Sequence, residues 1–326
     1  MTNDLAAQRP PLCVRDRSMA AGTNITEAEH PIAAHRRTRT EPDDWHVAQV
    51  RQYYDVNSSA FARFGQGAGT GTIRRAVWGP QVRSQRQAFE YVDRLILKEI
   101  ESVARASAEP AIVLDLGCGV GGSLCFLAQQ LSIAGVGITI SGSQAVTARA
   151  RARELGVAER VAFRHADFIQ PLADQPRAQL AFSVEAFVHA PSPKSYFAAA
   201  ARLLAPGGTL IICDDVRSTR PEQSGSEARW LQHVREGWLA RSLTTAAQMS
   251  AAAERAGFMA CEARDLSGYL QLGRSRDHLL RALLPLLELL PFEPQRCASW
   301  RGGDALQRCL SAGLIEYRYM TWRLRK

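Results

Sequence analysis

The sequence predicts an α/β protein: a mostly parallel sheet with helices packed on both faces. Two observations carry that prediction. From Ala111 onward, short apolar runs alternate with helix-length stretches, the signature of successive βαβ units. In the first of these, Val113-Leu114-Asp115-Leu116-Gly117-Cys118-Gly119-Val120-Gly121-Gly122 reads as a strand, a glycine-rich turn and the opening of a helix. The composition agrees. The 326 residues, 46% hydrophobic and 22% charged, suffice for one large core or two small ones.

Residues 1–41 mix Pro, Thr, Arg, Ala and Glu without a helical or strand period and read as a flexible tail. Asp43 and Asp44 are placed to cap a helix whose apolar side carries Val47, Val50 and Tyr54. A glycine-rich segment follows at 64–79, with Gly65, Gly67, Gly69 and Gly71. Ala88, Val92, Leu95, Ile96, Ile100 and Val103 then share one face of a long helix. Residues 42–108 are expected to form a helical lid or substrate cap, and residues 109–326 the main domain. Strands are expected there at 112–116, 136–140, 161–164, 180–183 and 209–214, with helices at 122–131, 143–155 and 194–204 between them. Past Asp215 the pattern predicts helices at 227–241 and 245–256 and a strand at 258–265. Helical insertions are expected at about 217–256 and 274–313, and 314–325 reads as a closing edge strand.

Several classes are disfavoured. The longest apolar stretch, 278–292, carries Arg281, Glu288 and two prolines and is too short to span a bilayer. No apolar signal core follows the first charges, so a cytoplasmic location is expected. Seven cysteines without a CxxC pair argue against a disulfide framework or a zinc cage, and Cys125, Cys213 and Cys261 lie in apolar surroundings. The net charge of +8 permits nucleic acid, acidic membranes or phosphorylated small molecules as partners. The arginines are spread along the chain rather than interleaved with aromatics, and no nucleic-acid partner is expected.

The strongest chemical signal is the loop at 117–122. Glycines let the backbone turn sharply after a strand and approach a ligand where a side chain would collide. Gly117, Gly119 and Gly122 satisfy GxGxxG, which alone also suits a dinucleotide. A dinucleotide enzyme places an acid roughly twenty residues on, at the end of the second strand. Here that place reads Gly137-Ile138-Thr139-Ile140-Ser141, without a carboxylate. Asp115 instead lies just ahead of the loop, where it can accept from an ammonium directly or through water.

The stretch 113–122, together with His165-Ala166-Asp167-Phe168 and the Ala205-Pro206-Gly207-Gly208-Thr209 turn, resembles the class I S-adenosylmethionine-dependent methyltransferases. The resemblance covers about residues 45 to 326. It implies a Rossmann-like sheet of seven strands, mostly parallel with the last antiparallel, below an N-terminal helical lid. It also implies that Asp115, Gly117, Cys118, Gly119 and Gly121 meet the methionine end of the cofactor. Asp167 matches the position that accepts from the adenine amino group, with Phe168 beside the ring. The family usually holds both ribose hydroxyls with an acid after the second strand. Thr139, Ser141 and Gln144 instead form a GxTxSxxQ pattern, which resembles the sterol, tocopherol and prenyl-diphosphate subgroup. Neutral hydroxyl and amide groups can serve those hydrogen bonds.

After the fourth strand the chain reads Phe182-Ser183-Val184-Glu185-Ala186-Phe187-Val188-His189. The carboxyl end of a central strand is where such a sheet presents its site. Glu185 and His189 are spaced to share a helical face. In the prenyl-diphosphate enzymes a glutamate at the matching position is the base or cation stabiliser, and the resemblance gives Glu185 that role. Tyr53, Tyr54, Phe61, Phe64 and Trp78 are candidate substrate walls, whose ring faces suit a cation. Arg74 and Arg75 are candidates for a diphosphate, bridged by Mg2+ in the prenyl-diphosphate enzymes.

The expected activity is C-methylation of a prenyl diphosphate of the geranyl or farnesyl type, with Glu185 removing the proton. The alternative is an O- or N-methyltransferase of a hydrophobic natural product with His189 as base. A third reading, an RNA-associated module, rests on the basic charge alone. The apolar helix near 279–290 could pack on the main domain or on a partner, so a homo-oligomer stays open.

Overall fold

The computed structural model describes residues 47–55, 74–105, 109–172, 175–287 and 294–326. The expected tail, Asp43, Asp44, Phe61, Phe64 and the four glycines of 65–71 lie outside the described residues.

Residues 47–55 form a helix, α1, which buries Val50 and Tyr53. Helix α2 (Gln85–Ala104) starts where the Ser84 side chain accepts from the Gln87 N–H. Its buried face holds Ala88, Val92, Leu95, Ile96 and Ile100, at the spacing its sequence shows. That face joins a core cluster with Leu124, Leu127 and Leu180. α2 therefore packs into the body of the domain.

The alternation then unfolds as β1 (Ala111–Leu116), α3 (Gly122–Gln130), β2 (Ile133–Thr139), α4 (Gly142–Glu154), β3 (Val161–His165), β4 (Ala178–Val184), α5 (Pro193–Leu203) and β5 (Leu204–Arg217). Beyond it come α6 (Gly225–Gly237), α7 (Ala246–Arg255), β6 (Phe258–Asp265), α8 (Ser275–Leu287), α9 (Pro294–Ser311) and β7 (Ile315–Leu324). The strands form one seven-stranded sheet in the order β3-β2-β1-β4-β5-β7-β6. β1 through β5 pair in parallel, and β7 runs antiparallel to both neighbours. β7 is not the edge strand its position in the chain suggests. It inserts between β5 and β6, burying Tyr317, Tyr319 and Trp322, and leaves β6 at the rim.

Side chains alternate between the two faces, as period two requires. Val113, Phe182, Ile211 and Cys213 join the α2–α3 layer, while Leu114, Leu116, Ala181, Leu210 and Ile212 join Tyr196 and Phe197 of α5. Each fully buried Leu, Ile or Phe contributes about 1.5–3 kcal/mol. A third cluster joins α6 and α9 through Leu231, Val234, Leu306 and Leu310.

The order reverses at β1: β2 and β3 lie on one side, β4 and β5 on the other. A crevice opens beyond the carboxyl ends of β1 and β4 at such a switch, and the described chemistry gathers there.

Candidate active site

The turn after β1 is held against the second strand. The Gly117 and Cys118 N–H groups both donate to the Ile138 carbonyl at 2.9 Å. A Cβ on Gly117 would stand 2.4 Å from the Ala186 Cβ, so nothing larger fits. Gly119 has φ +52° and a Cβ there would meet no protein atom within 4 Å. It faces a cavity partly open to solvent, and a side chain at Gly119 would intrude on it.

Gly117, Gly119, Thr139, Gln144, Asp167 and Phe168 line this cavity, as do Glu185, His189 and Tyr54. Val47 and Val50 of α1 also line it. The lining holds two carboxylates and no Lys or Arg among the described residues, so the cavity favours a positively charged guest.

Glu185 follows β4 with φ +53°, a conformation uncommon for a residue with a side chain and concentrated at functional sites. Its N–H donates to the Cys213 carbonyl at 2.9 Å. Among the described residues, the carboxylate is fixed from one side only. Oε1 accepts from the Arg75 N–H at 3.0 Å, Arg75 Nε at 3.3 Å and the Tyr317 hydroxyl at 2.9 Å. Arg75 in turn forks onto Asp215 at 2.7 and 2.8 Å, a bidentate pairing. Burial disfavours the Arg75 cation, yet Asp215 and Glu185 outweigh it and hold its pKa well above the ordinary value. Burial pushes Asp215 up, against the pull of Arg75. Burial raises Tyr317 well above 10.0, so its phenol remains a donor.

His189 ends a short 3-10 turn, Phe187–His189, which begins after Glu185. The two residues thus face one cavity from a strained turn rather than from one α-helical face. The Tyr54 hydroxyl lies 2.8 Å from His189 Nε2. Burial, then the neighbouring Tyr53 and Glu185, push Tyr54 well above its ordinary value. Asp167 Oδ1 accepts from the Ile169 N–H at 2.9 Å, and the Thr139 hydroxyl donates to Gln144 Oε1 at 2.8 Å.

Other expected residues sit elsewhere. Arg74 is buried and pairs with Asp93, its Nη1 also donating to Ser123 at 3.0 Å. With Arg75 bound to Asp215 and Glu185, both guanidinium groups are turned inward and neither lines the cavity. The pattern of adjacent arginines carried no sign of acids 19 and 140 positions away. Asp115 is buried below the loop, where burial and then Asp93 push its carboxyl well up. Cys118 is buried too, and burial raises its thiol, as it raises Cys125 to about 11. Gly121 packs on Phe163 and Ala148. Ser141 caps α4, its side chain accepting from the Gln144 N–H. Tyr53 meets the Ser299 hydroxyl at 3.0 Å. Trp78 borders a smaller hollow with Leu270 and Arg274. Phe64 lies outside the described residues. Cys261 is exposed rather than set among apolar side chains. Among the described residues, no group of three or more His, Cys, Asp or Glu is placed to hold a metal ion, and no helix is long and apolar enough to cross a membrane.

Two partners escaped the sequence reading altogether, Tyr317 and Asp215. Both come from β5 and β7, and only sheet pairing brings them beside Glu185.

Residues 84–262, more than half of the chain, match the family described as "Methyltransferase domain". The chain belongs to this family. A probable chloroplastic tocopherol O-methyltransferase of Oryza sativa subsp. japonica is 35% identical over 107 residues, 33% of this chain and 30% of that protein. The 24-methylenesterol C-methyltransferase 2 of Arabidopsis thaliana is 26% identical over 227 residues, 63% of each chain. In neither case does the match reach two thirds of the relative's length. The crystal structure of geranyl diphosphate C-methyltransferase from Streptomyces coelicolor A3(2), solved with Mg2+, geranyl diphosphate and S-adenosyl-L-homocysteine, superposes with a TM-score of 0.58. It shares 14% identity, over 88% of this chain and 99% of that one. That likeness concerns the fold. The methyltransferase family and the seven-stranded sheet that the resemblance implies are both found.

Proposed function

We propose that the protein is an S-adenosylmethionine-dependent C-methyltransferase acting on an alkene carbon of a small isoprenoid, of which a prenyl diphosphate is the expected form. The observation that carries the proposal is the one-sided fixation of Glu185 among the described residues: three donors on Oε1, with the side chain at the wall of a cavity that Val47, Val50, Ile138 and Val184 also line.

The lining suits the family's methyl donor. Gly119 leaves open the space a Cβ would fill, Asp167 and Phe168 offer an acceptor and a ring face, and Thr139 and Gln144 offer hydroxyl and amide groups. S-adenosylmethionine supplies an electrophilic methyl group when bound. Everything else falls to the chain. Val47, Val50, Ile138 and Val184 exclude water beside the acceptor, which preserves a carbon-centred cation. Glu185 faces that cation and takes the proton at Oε2 as the new double bond forms. Arg75 and Tyr317 keep the carboxylate aimed, so positioning is in place before reaction. With Arg74 and Arg75 held in internal pairs, the apolar cavity supports the isoprenoid chain more strongly than its diphosphate.

The test combines methyl-labelled S-adenosylmethionine with geranyl, farnesyl and geranylgeranyl diphosphates and the corresponding alcohols, reading product mass and label position. The expected outcome is a carbon-methylated alkene with wild type, and none with Glu185→Gln, which still binds S-adenosylhomocysteine. Unchanged turnover in that variant removes Glu185 from the mechanism. The contact between Tyr54 and His189 favours a second reading, O- or N-methylation with His189 as base. Label on oxygen or nitrogen would select it.

A further inference from the structure

Nucleotide-binding sheets of this type commonly place an acid at the end of the second strand, where it accepts from a ribose hydroxyl. This chain reads Ile140-Ser141-Gly142-Ser143-Gln144 after β2, without one. The fold brings a carboxylate to the same place from elsewhere. Asp55, at the end of the described part of α1, accepts at Oδ1 from the Ser141 hydroxyl at 2.5 Å and from the Ser143 hydroxyl at 3.3 Å. The two serine oxygens are 3.0 Å apart.

Ser141 stands between Ile140 and Gln144, both on the cavity wall, and Val47, Val50 and Tyr54 of α1 line the same cavity. The helix that walls the cavity therefore also carries an acid to the rim formed by β2 and α4. Asp55 Oδ2 receives no hydrogen bond from a described side chain or N–H group. An ionised carboxylate accepts several donors at once, two of them in parallel, and the adjacent hydroxyls of a ribose form such a pair. Oδ1 already holds two hydroxyls at close spacing, which shows that the carboxylate can take a paired-hydroxyl partner in this position.

We infer that Asp55 binds the ribose diol of the adenosyl cofactor, replacing the missing acid of the second strand from the N-terminal helix. The inference rests on the cofactor reading given above. It puts the residue that grips the ribose on the helix whose Val47, Val50 and Tyr54 wall the cavity. Ser141 and Ser143 then serve as stand-in donors that the ribose displaces.

Calorimetry separates the possibilities. S-adenosylhomocysteine and its 2′,3′-dideoxy analogue are titrated into wild type and Asp55→Asn. Asp55 is exposed, so the substitution leaves the core intact. The expected result is at least about tenfold weaker binding of S-adenosylhomocysteine by Asp55→Asn, with the analogue weakened less than roughly threefold, since a hydrogen bond to a charged acceptor is lost only where the hydroxyl exists. Equal weakening of both ligands overturns the inference, because Asp55 would then only strap α1 to α4. Unchanged binding by Asp55→Asn overturns it as well while leaving the cofactor reading standing. Absence of S-adenosylhomocysteine binding to wild type overturns both.

Discussion

Replacing Tyr317 by Phe removes one oxygen atom and keeps the ring. The ring is worth keeping: the Arg75 guanidinium carbon sits 4.5 Å from its centroid, a cation–π contact that also steadies Arg75. What disappears is the hydroxyl that donates to Glu185 Oε1 at 2.9 Å. A hydrogen bond to a charged acceptor contributes about 1.5–3 kcal/mol, or about 10- to 150-fold in rate if its full value is expressed in the transition state. The two Arg75 donors remain on the same oxygen, so the lower end applies, a fall in kcat of about 10- to 30-fold. Because Tyr317 touches the carboxylate and not the cavity wall, KM for S-adenosylmethionine should stay within about twofold. The assay is initial-rate kinetics with labelled methyl donor and the best acceptor from the isoprenoid series, accompanied by product analysis. A Glu185 that swings also removes protons less selectively, so the ratio of double-bond isomers should broaden. A variant with wild-type kcat and a single unchanged product would refute the claim that Glu185 works because it is held.

Two further outcomes follow from groups that the structure places in the core. Arg74→Met leaves Asp93 buried without its cation and should cost about 3–5 kcal/mol in urea unfolding, most of it recovered in Arg74→Met/Asp93→Leu; a loss below about 1 kcal/mol would contradict the buried pair. Asp115 has a folded-state pKa raised by burial well above 3.8. Its protonated form is favoured in the fold, so its contribution is complete below the unfolded value and drains away as pH rises toward the folded one. Asp115→Asn should therefore gain stability relative to wild type with rising pH, by at most about 1.4 kcal/mol per pH unit, between about pH 5 and the raised pKa. Parallel unfolding curves for the two proteins at each pH would contradict it.

Most of the sheet was legible because local pattern sets it. Val113 and Leu114 face opposite layers for the same reason that apolar residues fill β1, and α5 begins where a Ser-Pro start, Ser192 and Pro193, caps it. The edge assignment of β7 failed because strand order depends on pairing, which no window of sequence contains. Site residues divided along the same line. Gly117, Gly119, Thr139, Gln144 and Asp167 follow strands in sequence, and these residues line one cavity. The internal pairing of Arg74 and Arg75 has no local mark, because the acids that hold them, Asp93 and Asp215, lie on α2 and β5. Asp55 was missed for the converse reason: an exposed Asp at the end of a short helical stretch carries no local mark, and only the fold brings it to Ser141.

The central claim is that the cavity above Gly119 seats the adenosyl methyl donor, and calorimetric titration of S-adenosylhomocysteine into wild type and Gly119→Ala tests it most directly. A Cβ at Gly119 meets no protein atom within 4 Å, so the fold tolerates it apart from about 1–2 kcal/mol of left-handed backbone strain. The account predicts saturable binding to wild type at one site per chain and affinity reduced about 5- to 150-fold by the intruding methyl. No heat with folded wild type, or equal affinity in the two proteins, would contradict it.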